Sequence, residues 1–101
     1  MKLFAFHCRD GEHSPKLRED FLQRHLDHVE ANIERYAVAG PLKDGDETIG
    51  SLLIIRASSM EEARAFFETD PYFDAGVWQA IRVSQFHGVA GEWVGGVTWK
   101  D

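Results

Sequence analysis

The nine residues Ile49 to Ala57, IGSLLIIRA, constrain this chain more than any other stretch. They form a nearly continuous apolar run, the pattern of a β-strand covered on both faces rather than one with a face in water. A chain of 101 residues is a single domain by length. It must therefore find cover for one face of that strand in its own helices, and cover for the other elsewhere.

The flanking segments supply the helices. Residues 2–8, KLFAFHC, read as a first strand. Gly11 then breaks the pattern, and Ser14-Pro15 looks like an N-cap with proline at the first helical position. Leu17, Phe21, Leu22, Leu26, Val29, Ile33 and Tyr36 recur mostly at steps of three and four, which predicts one amphipathic helix over about 15–35. A short strand, 36–40, runs into Gly40-Pro41, and KDGDE at 43–47 is a charged turn. Ser59-Met60-Glu61-Glu62 has capping-box spacing and opens a helix with Ala63, Phe66 and Phe67 on one side, ending before Pro71. A turn or single helical turn covers 71–77, and AIRVSQFH at 80–87 is a further strand.

The order is βαββαβ with a tail. It predicts an α+β, ferredoxin-like domain spanning 1–101, with an antiparallel sheet carrying two helices on one face. A second subunit packed sheet to sheet would cover the other face. In the tail, about 90–101, Trp93, Val97 and Trp99 fall on one side if the chain is extended. They either mark an association surface or fold back on their own domain.

Charge and composition exclude several functions. The net charge is −6, from 17 acids against 11 bases, with no basic cluster of the kind nucleic-acid binding relies on. No apolar run approaches the roughly 20 residues that span a bilayer. The opening MKLFAFHC is too short for a signal-peptide core, so a cytoplasmic protein is expected. Cys8 is the single cysteine, has no disulfide partner and reads as a small packed side chain.

Among residues that carry chemistry, Asp70 comes first. It lies at i+3 from Phe67 and i+4 from Phe66, and so continues a buried stripe toward the negative end of a helix. A carboxylate there needs a cation or a donor, unless it serves only as N-cap for a turn begun by Pro71. His25, between Phe21 and Val29 on the edge of the first helix's stripe, is the best candidate partner. His25 and His28 make an H-x-x-H pair, but no third ligand accompanies them and the helical zinc spacing differs, so no metal is expected. No glycine pattern cradles a phosphate, which leaves a nucleotide cofactor unsupported. Ser51 can line a pocket but has no evident activating base. Arg18, two turns before His25 on the same side, can meet an anionic substrate.

As a set, HLDHVEANIERYAVAGPL (25–42), IGSLLIIRASSMEEARAFFETDPYFDAGVW (49–78) and IRVSQF (81–86) resemble the YciI-like, or YCII-related, family. The resemblance implies a dimeric ferredoxin-like α/β barrel with a pocket in each subunit and a His–Asp pair, which here falls on His25 and Asp70. Gly40, Pro41, Ser51 and Tyr72 match its pocket-side positions. The chain departs at Leu22-Gln23, where many relatives carry Arg-Pro; an anion-binding role there passes to Arg18 or Arg24. The implied chemistry is cofactor-independent proton transfer or elimination on a small cyclic substrate, as in dehydrochlorinases and isomerases, with Tyr72 or Ser51 donating to a developing oxyanion. The alternative is a non-catalytic binder or sensor using the same pocket.

Overall fold

A computed structural model of the chain describes residues 1–100; Asp101, the end of the expected tail, lies outside the described residues. The elements run β1 (Lys2–Asp10), α1 (Ser14–Ala31), a 3₁₀ turn (Ile33–Arg35), β2 (Tyr36–Asp44), β3 (Glu47–Ala57), α2 (Met60–Phe67), α3 (Pro71–Ala75) and β4 (Trp78–Phe86). The four strands form one antiparallel sheet in the order β2-β3-β1-β4. This is the ferredoxin-like arrangement, and it places the apolar run of β3 in the sheet interior.

On the helix-covered side, Phe4, Phe6, Cys8, Leu53, Ile55 and Ala57 are each at most 2% exposed. Phe67 of α2 stacks on Phe6 with centroids 4.4 Å apart and on Trp78 at 5.3 Å, closing the core from above. On the helix-free side, Leu3, Ala5, Leu52 and Ile54 are only half-buried, beside exposed His7, Arg9, Arg56 and Arg82. Within the sheet, β1 passes so close to Gly50 that a Cβ there would lie 2.1 Å from the Cys8 carbonyl oxygen. Only glycine fits that approach.

Several boundaries differ from the sequence expectation for local reasons. The first helix stops at Ala31 instead of reaching 35. The Asn32 side-chain amide donates to the His28 carbonyl at 2.8 Å, and its backbone N–H is shared between His28 and Val29. Tyr36, counted in the helical stripe, begins β2 instead, and Ile33 is left 61% exposed. Ser14 is not the cap: His13 holds that position, and Ser14 is buried as the first helical residue. Its hydroxyl accepts from the Gly11 N–H at 2.7 Å and donates to the Val77 carbonyl.

β2 continues through Gly40-Pro41 to Asp44, since it is an edge strand, where proline is tolerated. The β2–β3 hairpin then needs only two loop residues, and Gly45 takes the positive φ of 63° that such a turn requires. At α2, Ser59 Oγ accepts from the Glu62 N–H as expected, but the Glu62 carboxylate bonds Ser58 rather than returning to the cap. β4 spans Trp78–Phe86, which takes in Trp78 and leaves His87 outside. The tail is not extended. Ala90–Gly91 (β5) and Gly96–Val97 (β6) pair as a small separate hairpin around a 3₁₀ turn, with Trp93 84% and Trp99 67% exposed. Among the described residues, no helix is long and apolar enough to cross a membrane.

Candidate functional site

A cleft of about 330 Å³ opens between α1 and the β2–β3 edge of the sheet. Arg18, Leu22, His25, Leu26 and Val29 line it from α1; Ala39, Gly40, Pro41, Ser51 and Leu53 from the strands; Tyr72 from α3. Helical spacing explains the first set, because residues at i, i+4, i+7 and i+11 present one face. Leu22 and Leu26 are 47% and 48% exposed, so this part of the stripe borders an opening instead of filling the core. Gly40, Pro41, Ser51, Tyr72, Arg18 and His25 therefore meet in one place. Asp70 lies behind them, 1% exposed.

Asp70 is both a cap and a partner. Its Oδ1 accepts from the Tyr72 N–H at 2.9 Å, which starts α3 at Pro71, and the same oxygen lies 2.8 Å from His25 Nδ1. An ionised carboxylate only accepts, so the proton in that contact belongs to Nδ1. The imidazole stacks flat on the Tyr72 ring, centroids 3.9 Å apart and planes within 3°. Helix capping and ring stacking thus fix the same histidine from two directions. Asp70 Oδ2, also buried, has no hydrogen-bond partner among the described residues. No hydrogen bond engages His25 Nε2 among them either.

Arg18 occupies the same wall but is already paired. Its Nε donates to Asp10 Oδ2 at 2.7 Å and its Nη2 to Asp10 Oδ1 at 2.9 Å, the bidentate form that holds a guanidinium most firmly. Nη2 also lies 3.1 Å from the Gly50 carbonyl and 2.9 Å from Ser51 Oγ, so its two protons are shared among three acceptors. Ser51 Oγ takes a further bond from Trp78 Nε1 at 3.1 Å. The Tyr72 hydroxyl donates to the Arg18 carbonyl at 3.2 Å. Burial pushes that phenol above its usual range against the opposing pull of the Arg18 guanidinium, so it stays protonated.

Beneath the cleft, burial, with Asp70 and Asp10 nearby, pushes the Cys8 thiol up to about 12. A thiol of that kind is packing, not a nucleophile. His28 stacks on Phe66 at 5.6 Å rather than facing the cleft. Among the described residues no three His, Cys, Asp or Glu side chains gather as a metal site.

Sequence reasoning missed Asp10 and Trp78. Asp10 lies past the expected end of the first strand, and Trp78 before the expected start of the last. The one available signal was chemical: a buried indole N–H needs an acceptor.

The family described as the YCII-related domain matches residues 2–87. The chain is also similar to a solved structure, the 5-chloro-2-hydroxyhydroquinone dehydrochlorinase from Burkholderia phenoliruptrix AC1100 in complex with 2,5-dihydroxybenzoquinone. The two share 30% identity and a TM-score of 0.75, over 89% of this chain and 96% of that one. No curated protein matches.

Proposed function

Because the chain belongs to the YCII-related family, we propose that it is an enzyme of proton transfer or elimination on a small cyclic substrate, with His25 and Asp70 as its acid–base pair. The observation that carries this reading is the 2.8 Å contact of His25 Nδ1 with Asp70 Oδ1 at the cleft wall. With Nδ1 protonated toward Asp70, the lone pair of the neutral ring sits on Nε2. A hydroxyl or acidic C–H of the bound ring gives its proton to Nε2, and the released electron pair forms a carbonyl or a C=C bond. In an elimination the leaving group departs with its bonding pair; in an isomerisation the proton returns to another carbon. The imidazolium formed lies against the Asp70 carboxylate, which stabilises it as it appears. Leu22, Leu26, Val29 and Leu53 offer apolar walls to a ring, and the similar dehydrochlorinase acts on a hydroxylated chlorinated ring. No step needs a cofactor.

Two copies of the chain pair through the helix-free sheet face. Half-buried Leu3, Leu52 and Ile54 there support this, because apolar residues in the sheet interior remain only partly covered in one chain. Sedimentation equilibrium showing only monomer at every concentration would rule the pairing out.

The test of the chemistry is chloride release from 5-chloro-2-hydroxyhydroquinone, with His25→Ala beside wild type. Loss of general-base catalysis predicts a rate lower by about 100-fold or more in His25→Ala, with the far-UV spectrum unchanged. Equal rates in the two proteins would reject the role of His25. Binding without any chloride release would make the protein a small-molecule binder instead.

A further inference from the structure

Two donors converge on the hydroxyl of Ser51, Arg18 Nη2 at 2.9 Å and Trp78 Nε1 at 3.1 Å. Neither can accept a bond in return, since guanidinium and indole N–H groups only donate. A serine hydroxyl has two lone pairs and one proton. Both lone pairs are engaged, so the proton is what remains to be shared. Among the described residues no protein acceptor takes it. Ser51 is 7% exposed, and the space it faces is the cleft.

We infer that Ser51 is an obligate hydrogen-bond donor to the atom a bound molecule places opposite it, and that Trp78 is a positioning residue that keeps it so. The inference rests on reading the cleft as the ligand site. Trp78 does not line the cleft and acts through Ser51. Its ring is held by stacking on Phe67 at 5.3 Å and by edge contact with Tyr72 at 5.9 Å, so the N–H has a fixed direction. On the other side the Asp10–Arg18 fork, at 2.7 and 2.9 Å, fixes Nη2. The charge of Arg18 is balanced by Asp10, and the Tyr72 hydroxyl is engaged at 3.2 Å by the Arg18 carbonyl. What the cleft offers is thus a neutral donor at Ser51 and an acceptor at His25 Nε2. The matching ligand carries a carbonyl or enolate oxygen for the first and a hydroxyl for the second, as a hydroxy-enone or hydroxyquinone does. A ligand with a methyl or an ammonium group facing Ser51 leaves a buried O–H unpaired, weakening binding on the order of tenfold or more.

The experiment has two arms. In the free protein, ¹H–¹⁵N spectra resolve the indole N–H groups of three tryptophans, and Trp78→Phe assigns one of them. Ser51→Ala should move the Trp78 resonance and speed its exchange with deuterium, leaving Trp93 and Trp99 in place. In the second arm, binding of 2,5-dihydroxybenzoquinone is measured by calorimetry. Ser51→Ala should weaken it about tenfold and Trp78→Phe on the order of threefold, through lost polarisation of the hydroxyl. The double variant should bind no worse than Ser51→Ala alone. The carbonyl stretch of the bound quinone should rise in both single variants. Independent, multiplying losses would show Trp78 as a packing residue only, and an unchanged affinity in Ser51→Ala would overturn the donor. Were wild type to leave the quinone unbound, the hydroxyquinone reading of the cleft would fall. The fixed hydroxyl would fall with it only if the Trp78 resonance also ignored Ser51→Ala.

Discussion

The two faces of the sheet treat their polar residues in opposite ways. On the helix-covered face, Asp70, Ser51 and Ser14 are buried, and each bonds a named partner: His25 and the Tyr72 N–H, Arg18 and Trp78, Gly11 and Val77. On the helix-free face, His7, Arg9, Arg56 and Arg82 are exposed around half-buried Leu52 and Ile54, and none of the four takes part in an ion pair among the described residues. Buried polar groups favour partners where they stand, and apart from Asp70 Oδ2 the side-chain oxygens of these three residues have them, so the first face has its arrangement largely fixed within the chain. The second face has water for its cations and no such constraint. The difference teaches where a single copy is finished and where it is not.

The largest effect that sharpens this contrast is on stability. Phe67→Ala removes the ring that stacks on Phe6 and Trp78, and should cost about 3–5 kcal/mol. Phe86→Ala on the helix-free face, where the ring is 44% exposed in a single copy, should cost the unpaired chain less than about 1 kcal/mol. Urea unfolding of both variants checks this, and equal losses would abolish the distinction. Next, Asp70→Ala deletes the α3 cap and strands the His25 Nδ1 proton, for a loss of about 1–3 kcal/mol. A change in unfolding midpoint too small to measure would mean that the contact adds nothing to the fold.

A smaller effect is confined to alkaline solution. The Cys8 thiol, ordinarily near 9, is pushed up to about 12 in the folded chain by burial. Above pH 9 the unfolded chain releases this proton while the folded one keeps it. The contribution is therefore complete below pH 9 and falls as pH rises toward 12. The loss should reach about 1.4 kcal/mol by pH 10 and be absent in Cys8→Ala. Matching pH profiles for wild type and Cys8→Ala between pH 9 and 11 would argue against it. The smallest effect lies in the tail, where Trp93 is 84% exposed and Trp93→Ala should shift stability by no more than about 0.5 kcal/mol. A much larger loss at high protein concentration would show that the tail is covered in an assembly.

Much of the fold was legible in the sequence because periodicity reports burial. The run in β3, the stripe of α1 and the capping-box serine of α2 each carry their own local signature, and the element order follows from them. Boundaries were less legible, since they depend on single side chains. Asn32 ends α1 by folding its amide onto the His28 carbonyl, a choice that apolar spacing does not encode. Of the site, Asp70 and His25 stood out through position on their helices, but their contact joins residues 45 apart and nothing local forecasts it. Asp10, Arg18, Ser51 and Trp78 meet through the register of three strands, in which Cys8 pairs with Ser51 on one side and with Ile81 on the other. A shift of one residue in either pairing would turn one partner to the other face.

The Ser14 latch to the Val77 carbonyl, spanning 63 residues, has a consequence for how the protein is made. The other ties at the cleft also reach far along the chain: 45 residues from His25 to Asp70, 33 from Arg18 to Ser51 and 27 from Ser51 to Trp78. Synthesis delivers the N-terminal helix early, with half of the cleft already written on it. Yet no tie can close until its distant partner has emerged, and Val77 and Trp78 come out well into the second half of the domain. A nascent or truncated chain therefore holds the parts of the site without the site. The set is complete only once Val77 and Trp78, the last of these partners to emerge, have joined it.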